Sequence, residues 1–311
     1  MVTAVLLCPG QGAQKVGMGK DLAESFPAAR EVFEAVDEAL GVRLSRLMWE
    51  GPEDELTLTH NAQPAILAHS LAAHAVVGEA LRPVAGAGHS LGEYSAYVVA
   101  GTLAPADAAR LVRRRGELMF EAGQRRPGTM AAVIGLAVER VAAACEEAST
   151  ATEVAVAANL NAPDQAVISG DPGAVERAGV RLKEAGAKRV LPLKVSGAFH
   201  SPLMEPAAEG LRRELQRVGL AEPRFPVIAN ATAEPVRDVA TARRLLGDQL
   251  TAPVRWVESM QRAADEAGDV TFVEVGPGTV LSGLLRRIVK GAPSVALGTT
   301  DQVNQFLEQH A

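Results

Sequence analysis

Aromatic side chains are scarce, with Phe, Trp and Tyr together making up 4% of the 311 residues. Few rings leave little on which unpaired bases could stack, and a net charge of −6 disfavours duplex nucleic acid. Nucleic acid is therefore not an expected partner. Cysteine is nearly absent. Cys8 and Cys145 lie far apart with no metal-type spacing, so neither a disulfide framework nor a bound metal is expected. Such cysteine usage suits a reducing cytoplasm. Long apolar runs are missing as well. The stretch 65–81 carries His69, Ser70, His74 and Glu79, too polar and too short to cross a bilayer. The opening MVTAVLLCPG has no basic flank and its apolar run stops at Pro9-Gly10, which argues against a secretion signal or a lipidated cysteine. It reads instead as a buried first strand. The expectation is a cytoplasmic protein with no membrane partner.

What is present is ordinary globular material: 48% hydrophobic and 22% charged residues, in a chain long enough for a full Ala/Val/Leu-rich core. Strand 3–8 runs into the Gly-rich turn PGQG. Helical patterns follow over 23–40 and 64–81, a short strand over 83–87, and helices over 93–100 and 105–121. After Arg126-Pro127-Gly128 the pattern changes. Strand 130–136, helix 138–148, strands 153–160 and 165–170, helix 174–184 and strand 189–195 give the β-α-β-β-α-β order of a ferredoxin-like unit. Helix 206–218, strand 226–229, helices 241–250 and 253–267 and strand 270–275 resume the earlier alternation, which implies a parallel, doubly covered sheet. The predicted class is α/β. A large part spans 1–127 and 197–311, and a small ferredoxin-like part is inserted at 128–196.

The segment Gly88-His89-Ser90-Leu91-Gly92 lies between a strand and a helix, the setting of a nucleophile elbow. Its flanking glycines permit a strained turn that exposes the serine hydroxyl. Such a serine needs a base, most often histidine. Of six histidines, His69 and His74 sit on an apolar helical face and read as structural, and His310 lies in the terminal tail. His89 adjoins the serine, so its side chain should point elsewhere. His200 lies in SGAFHSP just past a strand end, where a catalytic base and an ordinary loop histidine are equally well accommodated. The GQGAQK turn is not a dinucleotide fingerprint, because Lys15 occupies the third glycine's place.

Six segments in order, PGQGAQ (9–14), NAQPA (61–65), GHSLGEYSA (88–96), RRRGELM (113–119), GAFHSPLM (197–204) and EVGPGTVLSGLL (274–285), carry a resemblance. The chain resembles the malonyl-CoA:acyl carrier protein transacylases of fatty acid synthesis, relatives of the acyltransferase domains of polyketide synthases. The resemblance covers nearly the whole chain and implies a hydrolase-like α/β core with a ferredoxin-like insert, and a ping-pong Ser-His enzyme. Ser90 would be the nucleophile and His200 the base, oriented by the backbone carbonyl of Gln249 rather than by a carboxylate. Asp107, Asp164 and Asp171 fall in triad order but no motif surrounds any of them, so a true triad is not expected. Backbone N–H groups of Gln11 and Leu91 would form the oxyanion hole.

Arg115 would grip malonate's free carboxylate with two parallel hydrogen bonds, while Arg113 and Arg114 read as solvated. Gln63, Asn161 and Phe199 would line the substrate pocket, with Phe199 excluding a 2-methyl branch. Cys8 and Phe120 depart from the family pattern, the first where phenylalanine and the second where glutamine is usual. No permanently bound cofactor is implied. Phosphopantetheine would enter on the substrates, malonyl-CoA and an acidic acyl carrier protein that docks transiently on a monomer. Candidate docking cations are Lys183, Lys188, Arg189, Arg286, Arg287 and Lys290. The alternatives are a trans-acting polyketide acyltransferase and a hydrolase of acyl groups on carrier protein.

Overall fold

A computed structural model describes residues 1–310. Among these described residues, ten strands form two sheets. In chain order they are β1 (Val2–Cys8), β2 (Leu81–Gly88), β3 (Thr129–Ile134), β4 (Ala155–Ala162), β5 (Gln165–Gly170), β6 (Arg189–Pro192), β7 (Val227–Ile228), β8 (Pro235–Val236), β9 (Thr271–Val275) and β10 (Ser294–Leu297). The larger sheet has the order β10-β9-β1-β2-β7-β8 and is parallel except where β8 turns back on β7. The wholly parallel sheet expected from the alternation thus acquires an antiparallel edge. The central strand β1 reads Val-Thr-Ala-Val-Leu-Leu-Cys, and its last five residues are buried because helices cover both faces.

The smaller sheet, order β4-β5-β3-β6, is antiparallel throughout. Helices Val138–Ala148 and Pro172–Glu184 pack against it and bury Val141, Cys145, Val175 and Leu182 in its own core. Strand β4 of this sheet is tied to the segment before helix Trp256–Ala267, with Leu160 N donating to Val254 O and Val254 N to Ala158 O. Register shifts on either side of that contact, at Ala157/Asn159 and Leu160/Ala162, mark irregularities in β4.

Several elements depart from expectation for identifiable reasons. The helix expected over 23–40 is broken into Lys20–Ser25 and Pro27–Leu40, because Pro27 forces Phe26 into an extended conformation. The strand expected over 189–195 ends at Pro192, with one further backbone bond from Leu193 N to the Met130 carbonyl. Helix Trp256–Ala267 starts after the Ala158–Val254 contact rather than at Pro253. Cys8 is buried in the core, and burial pushes its thiol up to about 12, so it is a packing residue. Among the described residues, no helix is long and apolar enough to cross a membrane.

Candidate active site

Ser90 occupies the turn between β2 and helix Gly92–Val99 with φ of 52°, in the left-handed region that non-glycine residues rarely enter. The flanking glycines are required by close approach. A Cβ on Gly88 would lie 1.9 Å from the Gly92 carbonyl carbon, and one on Gly92 would lie 2.0 Å from the Cys8 carbonyl oxygen. The spacing G-x-S-x-G therefore lets the helix start directly against β1 and β2.

His200 precedes the short turn Pro202–Met204, is 4% exposed, and also takes a left-handed φ of 55°. Its Nε2 lies 2.8 Å from Ser90 Oγ. Its Nδ1 lies 3.0 Å from the Gln249 carbonyl oxygen and 3.2 Å from that of Ala252. Carbonyl oxygens only accept, so Nδ1 carries the proton and Nε2 presents its lone pair to the serine hydroxyl. Burial, and next the Arg115 cation, hold the imidazole down to about 3, so it is neutral near pH 7. The three acids in triad order are engaged elsewhere: Asp107 with Arg110, Asp164 with Arg287 and Asp171 with Arg126.

Arg115 projects from helix Pro105–Arg125 and is 1% exposed. One terminal nitrogen donates to Gln63 Oε1 at 2.8 Å; the other donates to Gln249 Oε1 at 2.7 Å and Ser90 Oγ at 3.1 Å. Its Nε has no partner, and the guanidinium carbon lies 5.4 Å from the Tyr94 ring centroid. The terminal nitrogen that reaches Ser90 Oγ, rather than the enclosed Nε, is the one placed to meet an anion at the serine. The neighbouring arginines diverge as helical geometry requires. Arg114 pairs with Glu117 and Glu121 at the surface. Arg113, expected in solvent, instead docks on the His60 carbonyl and the Asn61 side chain.

A cavity of about 360 Å³ opens over this group and is lined by Gln11, Ser90, Met119, Asn161, Phe199 and His200 among others. Its volume suits a small ligand. Phe199 and Asn161 thus face the cavity, whereas Gln63 does not line it. Gln63 is fully buried behind Arg115, which it holds while donating to Met119 Sδ. Phe120 packs edge-on against His60 with centroids 5.9 Å apart. His89 turns away from the serine, its Nε2 donating to Asn161 Oδ1 at 2.8 Å. Gln11 lines the cavity, and Leu91 follows the serine. Among the described residues, neither backbone N–H donates to another protein group. Sequence reasoning missed the side chains of Gln249, Asn230 and Glu93, which surround the elbow from below. Glu93 stood inside the GHSLGEYSA segment, and Gln249 was named for its carbonyl alone. No cluster of His, Cys, Asp and Glu suited to a metal ion occurs among the described residues.

The buried imidazoles also set a pH dependence of stability. Burial lowers His200 to about 3, and His69 and His74 to about 4 each, against 6.5 in a solvated imidazole. As pH falls through 6.5 the unfolded chain takes up protons that the folded chain declines, so stability drops. Glu93, which burial raises to about 7, and Glu274, which burial also raises, oppose this, with two protons against the five of His200, His69, His74, His60 and His89, the last two also lowered by burial. The midpoint of urea unfolding should therefore fall steadily from pH 6.5 to 4. A midpoint that held constant or rose over that interval would show that these imidazoles charge inside the folded protein.

The family model described as acyl transferase domain matches residues 5–309. Relatives named malonyl CoA-acyl carrier protein transacylase include one from Bacillus subtilis, 44% identical over 99% of this chain and 97% of its own length. Another from Escherichia coli is 43% identical over 99% of this chain and 100% of its own. Among solved structures, the malonyl-CoA:acyl carrier protein transacylase of Xanthomonas oryzae superposes with a TM-score of 0.95 at 39% identity, covering 100% of this chain and 99% of that one. A type II polyketide synthase acyl carrier protein in complex with its malonyl transacylase contains a chain that superposes at 0.93 and 41% identity, covering 99% of this chain and 100% of that one.

Proposed function

The chain belongs to the acyl transferase domain family, and on that premise we propose that it moves malonyl groups from malonyl-CoA to the phosphopantetheine thiol of an acyl carrier protein. One observation carries this reading: Ser90 Oγ lies 2.8 Å from His200 Nε2 and 3.1 Å from the Arg115 guanidinium. In a malonyl thioester a single methylene separates the reacting carbonyl from the free carboxylate. Nucleophile and cation must therefore stand side by side, as they do here.

In the first half-reaction Ser90 Oγ attacks the thioester carbonyl while His200 Nε2 takes its proton. Charge developing on the carbonyl oxygen is met by the N–H groups of Leu91 and Gln11. The tetrahedral adduct collapses, the C–S bond breaks, and the departing CoA sulfur receives the proton from His200. In the second half-reaction His200 takes the proton of the carrier protein's thiol, which attacks the malonyl-serine carbonyl, and collapse returns the proton to Ser90. Arg115 holds the carboxylate through both halves, and Phe199 at the cavity wall opposes a 2-methyl branch. Nothing in this route calls for a resident cofactor, since phosphopantetheine arrives on both substrates. The carrier protein is the proposed partner in view of the related complex. Lys194 at the cavity adds to the candidate cations, whereas Arg287 is already engaged by Asp164 and Gln165.

The test is labelling with malonyl-CoA followed by a chase with holo carrier protein. We expect one malonyl group per chain on Ser90, stable until carrier protein is added, and none on the Ser90→Ala variant. Release of free malonate without transfer would instead identify a hydrolase.

A further inference from the structure

Asn230 lies in the loop after β7, 1% exposed, and lines no part of the cavity. Its side chain bridges the elbow. Nδ2 donates to the Gly88 carbonyl at 2.7 Å, and Oδ1 accepts from the Ser90 backbone N–H at 2.7 Å. Its own backbone N–H donates to Glu93 Oε2 at 3.1 Å, and its carbonyl accepts from Arg255 N at 3.0 Å. Glu93 Oε2 also accepts from Gln249 Nε2 at 2.7 Å, and that same amide nitrogen donates to the Ser90 carbonyl at 3.0 Å. Side chains thus bind Gly88 O, Ser90 N and Ser90 O, three main-chain groups around the strained residue. None of these bonds touches the serine hydroxyl.

We infer that Asn230, anchored by Glu93, is the positioning residue that holds Ser90 in its left-handed conformation. The inference rests on the reading of Ser90 as nucleophile. A left-handed serine persists only where its surroundings over-determine it, because relaxation to negative φ is favourable for any L-residue with a Cβ. Relaxation here would rotate Oγ away from His200 Nε2 and, one peptide later, swing the Leu91 N–H away from the reacting carbonyl. An amide suits the bridge because one end must donate to a carbonyl and the other must accept from an N–H. An alanine at 230 supplies neither. An ionised aspartate keeps the acceptor but sets an oxygen against the Gly88 carbonyl oxygen.

The experiment uses the full chain with Asn230→Ala and Asn230→Asp. It follows Ser90 phosphonylation by a small fluorophosphonate, which needs the elbow and His200 but no malonyl recognition. Protection by free malonate reads the Arg115 end separately. We expect Asn230→Ala to label about 10–100-fold more slowly, since small displacements of reacting groups cost that much. Asn230→Asp should fall between it and the unaltered protein. Malonate protection should stay within about threefold in both, because Asn230 makes no bond to Arg115, Gln63 or the Gln249 side chain. A folded variant that labels at the unaltered rate overturns the inference. So does a variant in which labelling and malonate protection weaken in proportion, which is general loosening. If Asn230→Ala does not fold, the near-isosteric Asn230→Asp decides alone. If the unaltered protein does not label while Asn230→Ala and Asn230→Asp both fold, the nucleophile reading falls, and this inference with it.

Discussion

Replacing His200 with alanine should slow formation of the malonyl-enzyme by about 10³-fold, within the range that a positioned general base contributes. The size of the effect follows from how little else can take the serine proton. Arg115 is the other group at Ser90 Oγ, and a guanidinium only donates. The Nδ1–H of His200 is held by two carbonyls rather than by a carboxylate. Positive charge on the ring in the transition state is therefore met by two dipoles, which also fix the tautomer. Rapid-mixing measurement of acylation checks the rate, and substrate affinity should change far less, since Arg115 keeps Gln63 and Gln249 as partners. A drop below tenfold with a folded variant would mean that another group is the base.

The parts of this site that could be read in the sequence are those encoded locally. The elbow was legible because glycine two residues either side of Ser90 answers to contacts made within one turn. The β-α-β-β-α-β order was legible because its strands and helices have different periods, and helix Val138–Ala148 and strand Gln165–Gly170 fall where the pattern puts them. Strands β8 and β10, of two and four residues, are too short to carry a period and owe their existence to the neighbours they pair with. Gln249 shows the limit most clearly. Its carbonyl could come from any residue, so no side-chain signal marks it. Yet its amide links Arg115, Ser90 and Glu93, which gives a physical reason for glutamine there. Asn230 had no signal at all, since it reaches the elbow from 140 residues away in sequence. Gln63 was placed with the substrate by resemblance, whereas the fold sets it behind the arginine.

Arg115→Ala should lower malonyl transfer by about 10²–10³-fold while raising the use of acetyl-CoA relative to malonyl-CoA, and two effects of the same cation lead there. The first is recognition. An acetyl group brings no carboxylate, so the buried guanidinium stays with its neutral partners, Gln63, Gln249 and the Ser90 hydroxyl. The second is electrostatic: Arg115 helps to hold His200 down to about 3, and a base so weakened is slow to accept the serine proton. A bound malonyl carboxylate offsets that positive charge and strengthens the base when the right acyl group is present. An acetyl group leaves the base weak. Removing the guanidinium relieves His200 for both substrates but takes the binding contact from malonyl alone. The ratio of acylation rates for acetyl-CoA and malonyl-CoA, measured at saturating concentration, separates the two effects. If base weakening operates, acetyl acylation should rise in absolute terms in the variant as well as relative to malonyl. An absolute acetyl rate that does not rise would leave recognition as the sole role of Arg115. An unchanged malonyl preference would assign the carboxylate to another residue, one of those that line the cavity.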